Sequence, residues 1–124
     1  MDADALADHY RAYIALINAR TLSAADLAPF AHDAVVHNDR RLSRHEYGAL
    51  ILRALVDPAN TFNIAKLVVQ GDSVAVRIVF DRRAPDATVT PGFPYEGKVA
   101  MLEHAFYHFK EGRISEVWSL VESV

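Results

Sequence analysis

A chain of 124 residues, 52% apolar and 23% charged, has the size and balance of one globular domain able to bury a single core. Its formal net charge of −3 supplies no basic field for a polyphosphate, which argues against a nucleic-acid partner. The absence of cysteine excludes disulfides, thiolate chemistry and the cysteine-containing zinc sites, so packing alone must hold the fold.

Leu6, Tyr10, Tyr13, Ile14 and Ile17 recur at helical spacing from residue 3 to about residue 19, with alanines between them, and predict a first helix. This stretch begins acidic and has no basic leader before an apolar run, so no secretory signal is expected. The longest apolar runs are too short to span a bilayer, and a cytoplasmic location without membrane contact is the expectation. "SAAD" from Ser23 places a capping hydroxyl three residues before Asp26, and Leu27 and Phe30 form one stripe, predicting a short second helix that ends near His32. "DAVVHND" reads as a brief strand closing in turn residues. "SRHE" from Ser43 to Glu46 matches a capping box, opening a third helix with Tyr47, Leu50, Ile51, Ala54 and Leu55 on one face and a stop at Asp57-Pro58.

The period then changes to two. "TFNIAKLVVQ" and "SVAVRIVFDRR" flank Gly71-Asp72 and predict a hairpin. "APDATVTPGFPYEG", with three prolines and two glycines, is a loop, either a lid or a rim. "KVAMLEHAFYHF" and "RISEVWSLVES" are two more strands joined around Glu111-Gly112. Three helices followed by a mainly antiparallel sheet make an α+β domain over residues 1–124, with one sheet face on the helices and the other free for a second subunit.

The order of elements, with "AHDAVVHN", "LSRHEYGALI", "GDSVAVRIVF" and above all "EHAFYHFKEGRISEVWSLVE", resembles the SnoaL-like polyketide cyclase group of the nuclear-transport-factor-two-like superfamily. The resemblance covers nearly the whole chain. It implies a cone-shaped barrel of helices packed on a curved sheet, dimerisation through that sheet, and acid/base chemistry without a metal or other cofactor. Many relatives carry an aspartate directly after the tryptophan of the last strand, where this chain has Ser119, and many close with aspartate where it has Glu122.

With Glu111 and Gly112 as central turn residues, Lys110 pairs with Arg113, and regular alternation sets His104 opposite Ser119 and Phe106 opposite Val117. One face then holds Leu102, His104, Phe106, His108, Ser115, Val117, Ser119 and Val121. The resemblance favours this face as the pocket wall and leaves Tyr107, Phe109 and Trp118 for a dimer interface. His104 is the expected general acid/base, since imidazole exchanges protons near neutral pH, with His37 as second candidate. Ser119, Asn38 and the Tyr13 hydroxyl are expected to hydrogen-bond substrate oxygens, and Phe106 and Val117 to wall the site. Glu103 and Glu122 fall on the opposite face unless a bulge intervenes. His104 and His108 stand about 13 Å apart on a strand, too far to share an ion, so no metal site is expected. His9, His32, His45 and Arg77 read as ordinary exposed residues. The expected function is cyclisation or isomerisation of a hydrophobic oxygenated metabolite of polyketide or terpenoid type. Its alternatives are a non-catalytic ligand-binding or dimerisation module and, third, a hydrolase of epoxides or esters.

Overall fold

A computed structural model of the protein describes residues 1–56, 60–80 and 101–123; the expected stop at Asp57-Pro58 and the loop over residues 84–97 lie outside them. Among the described residues two helices, α1 (Ala3–Asn18) and α2 (Arg44–Ala54), accompany six strands: β1 (Ala31–His37), β2 (Arg40–Ser43), β3 (Phe62–Gln70), β4 (Ser73–Phe80), β5 (Met101–Lys110) and β6 (Arg113–Ser123). They form one sheet in the order β2-β1-β6-β5-β4-β3. β1 runs parallel to β6 and every other neighbouring pair is antiparallel.

The amphipathic stripe of α1 buries Leu6, Tyr10, Tyr13, Ile14 and Ile17 against strand residues such as Val74, Ile78, Tyr107 and Phe109, and this burial is what makes the helix stable. Asp2 caps its start by accepting from the Ala5 N–H at 2.8 Å. The capping box at Ser43 and Glu46 is formed in both directions and opens α2 as its sequence requires. At the far end of α1, the Asn18 side chain exchanges two hydrogen bonds, of 2.8 and 2.9 Å, with the backbone of Phe62, fixing the helix to the β3 end of the sheet.

The second of the three expected helices is absent. Residues 24–30 form a run of turns, with bonds such as Asp26 N–H to Ser23 O and Ala28 N–H to Ala25 O that span three residues. Ser23 and Asp26 do pair as expected, the Ser23 amide donating to Asp26 at 2.9 Å. Pro29 stops the segment from lengthening into an α-helix, because it lacks the N–H that would bond the Ala25 carbonyl.

Three tight turns set the strand pairing. Asn38 and Asp39, with φ of 46° and 71°, join β1 to β2 across the His37–Arg40 pair, the positive-φ geometry that asparagine tolerates. Gly71-Asp72 joins β3 to β4, and Glu111-Gly112 joins β5 to β6 with Lys110 opposite Arg113, as the sequence predicts. Two residues beyond that last turn the register slips: Phe109 faces Ile114, but His108 faces Glu116. Ser115 is the extra residue of a bulge, and its hydroxyl bonds the His108 carbonyl at 3.1 Å. From there outward Ser119 faces Ala105, and Phe106 faces Trp118.

Candidate active site

The bulge decides which side chains look toward the helices. On β5, Glu103, Ala105, Tyr107 and Phe109 turn inward, and on β6 Ile114, Val117, Ser119 and Val121 do. Together with Tyr13 and Ile17 of α1, Tyr47, Leu50 and Ile51 of α2, and His37 of β1, five of this set (Glu103, Tyr107, Val117, Ser119 and Val121) line a cavity of about 310 Å³. Phe62, Phe80 and Met101 continue its wall, and Asn60 lies at its edge. The lining is apolar except for a few converging polar groups, the usual form of a small-molecule site.

His37 ends β1 at the mouth of the turn. Its Nε2 lies 3.4 Å from the Ser119 hydroxyl, and its ring is 6.3 Å from that of Tyr47. Burial holds its pKa below the ordinary imidazole value, and the charge of nearby Arg40 pushes the same way. Glu103 is the carboxylate among the described residues that line this cavity. Burial alone pushes its pKa up to about 7, so near neutral pH much of it is an uncharged acid able to donate a hydrogen bond. The Tyr13 and Tyr47 hydroxyls are 2.7 Å apart. Burial, reinforced by the field of Glu103, raises the pKa of Tyr13, Tyr47 and Tyr107, and all three remain neutral donors. Asn60 donates to the Ala54 carbonyl at 2.6 Å, while its buried Oδ1 has no partner among the described residues.

Four of the seven residues expected at the site line the cavity: His37, Ser119, Tyr13 and Val117. His104 and Phe106 do not. Both stand on the outer face of β5, and Phe106 is 63% exposed. The expected pairing of His104 with Ser119 fails because the Ser115 bulge shifts β6 by one residue, and His104 instead faces Leu120. Asn38 also lies outside the cavity wall. Its side chain holds the parallel joint between β1 and β6, donating to Ser119 O at 3.0 Å and accepting from Ser119 N–H at 2.7 Å. Tyr107 and Phe109, expected at an interface, are core residues. His9 is not an ordinary exposed residue; it stacks on Phe30 at 4.7 Å. His32 bonds the Lys110 carbonyl at 2.6 Å. No group of three potential metal ligands occurs among the described residues, and no described helix is long and apolar enough to cross a membrane.

The family model for SnoaL-like polyketide cyclases matches residues 7–124. The chain belongs to that family. Among solved structures, this SnoaL-like domain is similar to a SnoaL-like polyketide cyclase of Agrobacterium tumefaciens strain C58, with a TM-score of 0.77 and 29% identity over 94% of this chain and 91% of that one. It also shares its fold with IdmH of Streptomyces antibioticus, provisionally named a polyketide cyclase (TM-score 0.72, 18% identity, 94% and 91% covered). A Kribbella flavida protein provisionally named a ketosteroid isomerase is similar in fold as well (TM-score 0.69, 17% identity, 99% and 82% covered). No curated protein matches the chain.

Proposed function

We propose that this SnoaL-like protein is a cyclase or isomerase that moves a proton next to a carbonyl of a hydrophobic, oxygenated metabolite of polyketide or terpenoid type, using its own side chains. The observation that carries this reading is that Glu103 and His37 share one apolar cavity in which the ordinary order of their proton affinities is reversed. Burial raises the carboxyl to about 7 and lowers the imidazole. Two titratable groups displaced this way by their surroundings divide the roles of acid and base. Neutral His37, held by the Ser119 hydroxyl, takes the proton from carbon. Protonated Glu103, with the Tyr13–Tyr47 pair nearby, donates to the oxygen on which negative charge develops. The free Oδ1 of Asn60 accepts from a substrate hydroxyl.

Incubating the protein in deuterated water with an apolar aryl diketone tests this by mass spectrometry. Protein-dependent deuterium incorporation beside a carbonyl is expected, and it should fall in H37Q and in E103Q. Stoichiometric binding with no exchange would overturn the enzymatic reading in favour of a ligand-binding module. Supported by the exposed row Val68, Phe106 and Trp118 with adjacent Leu120, the protein is further proposed to act as a cytoplasmic homodimer joined through the outer sheet face, without nucleic acid or membrane partners.

A further inference from the structure

His37 stands between two cavities. One is the apolar cavity above. The other, of about 220 Å³, lies between β2 and α2, shares His37 and Leu50 with the first, and is walled by Arg40, His45, Glu46 and Arg53. The local fold puts these charges together. Arg40 is the residue opposite His37 across the β1–β2 turn, and His45, Ala49 and Arg53 follow one another at four-residue spacing along one face of α2. Glu46 is already engaged, because its Oε1 accepts from the Ser43 N–H at 2.9 Å in the capping box. Arg40 and Arg53 make no hydrogen bond or ion pair with any described residue; the ion pair found among those residues is Arg11–Asp8.

Two guanidinium groups free of hydrogen bonds and ion pairs among the described residues, and only partly offset by the Glu46 carboxylate that interacts with Arg40, stand beside a cavity that continues an apolar one and match a ligand with a carboxylate at one end, since arginine binds carboxylates through paired N–H donors. We infer that the smaller cavity is an anion subsite and that the substrate is an acid, its apolar body in the larger cavity, its carboxylate between Arg40 and Arg53, and its reacting carbon beside His37. The inference rests on the placement of the chemistry at His37 and adds the substrate class. It also gives Arg40 a second effect. Its charge disfavours protonation of His37, and a carboxylate seated on it offsets that effect, so an acid substrate makes the base stronger as it binds.

Calorimetric titration of the full chain with a naphthoic acid and with its methyl ester, at neutral pH and low salt, decides the matter. The acid is expected to bind about tenfold or more tightly than the ester. In R40A/R53A that preference should fall to about unity with ester affinity unchanged, while R53K keeps part of it. Arg40 and Arg53 are exposed, and an unchanged thermal melt will show that the double variant is folded. Equal binding of acid and ester by the native chain, or a preference that survives in R40A/R53A, overturns the anion subsite and leaves the apolar site standing. Failure of both ligands to bind overturns the subsite together with the apolar site it extends.

Discussion

The Ser119 hydroxyl lies 3.4 Å from Nε2 of His37, across the parallel joint between β1 and β6 that Asn38 ties from the other side. The serine thus occupies the position from which a side chain steers the imidazole, where many relatives are expected to carry a carboxylate. With H37Q, deuterium exchange into a bound ketone should fall by about 10² or more, the usual contribution of a general base. S119A should lower it by only several-fold, because it removes an orienting contact and leaves the base.

The pH profile of that exchange should be bell-shaped and narrow. Activity rises as His37 loses its proton, below the ordinary imidazole value of 6.5. It declines as Glu103 ionises at about 7. In E103Q, rates measured from pH 5 to pH 9 should be lower near the native optimum and should lack the alkaline limb; a limb that persists would assign it to another group.

Glu103 also links stability to pH. Its folded pKa, at about 7, lies above the ordinary 4.5, so between those values the folded state binds more protons than the unfolded state, and stability falls as pH rises. Allowing for solvent screening, the loss is on the order of 2 kcal/mol. His37 acts in the other direction, its lowered pKa costing stability as pH drops through 6.5. Urea unfolding at pH 5 and pH 8 should therefore show E103Q stabilised relative to the native chain at the higher pH.

The buried pair Tyr13–Tyr47, at 2.7 Å, should be strongly coupled. Either single change to phenylalanine leaves one hydroxyl unpaired in the core and should cost about 1–3 kcal/mol. The double variant Y13F/Y47F should cost less than the sum, and a four-member urea cycle measures the difference.

On the outer face, cross-strand pairing lines up Val68, Ala75, Phe106 and Trp118 in one row, and Leu120 beside it is 78% exposed. L120E should convert a dimer to monomer in sedimentation experiments at micromolar concentration without changing the melting profile of the monomer. A native chain already monomeric at that concentration would refute the proposed assembly.

Much of this architecture is legible in the chain itself. The α1 stripe, the Ser43–Glu46 box and the turns at Gly71 and Glu111 are local signals whose physics acts within a few residues. β2 is less so, since the four residues of "RRLS" carry no alternation and pair only because Asn38-Asp39 turns the chain back on β1. The site was harder to read for one reason. Alternation gives each strand two faces, but which face of β5 matches which face of β6 depends on the bulge at Ser115, which has no strong composition signal. A clue was nevertheless present on β5. Met101, Ala105, Tyr107 and Phe109 make a more apolar row than Leu102, His104, Phe106 and His108, which marks the first row as the inner one and Glu103 as a carboxyl forced into it.

Ser115 thus works as a gear between two strands of fixed alternation. Were Ser115 paired opposite His108 like a regular strand residue, the outer part of β6 would shift by one position, bringing Trp118 and Leu120 to the helix side and sending Ser119 and Val121 to the solvent side. The boundary between what this protein does and what it touches therefore hangs on one residue being left out of the pairing, and drawing it into the ladder would make reactive groups and contact surface trade places.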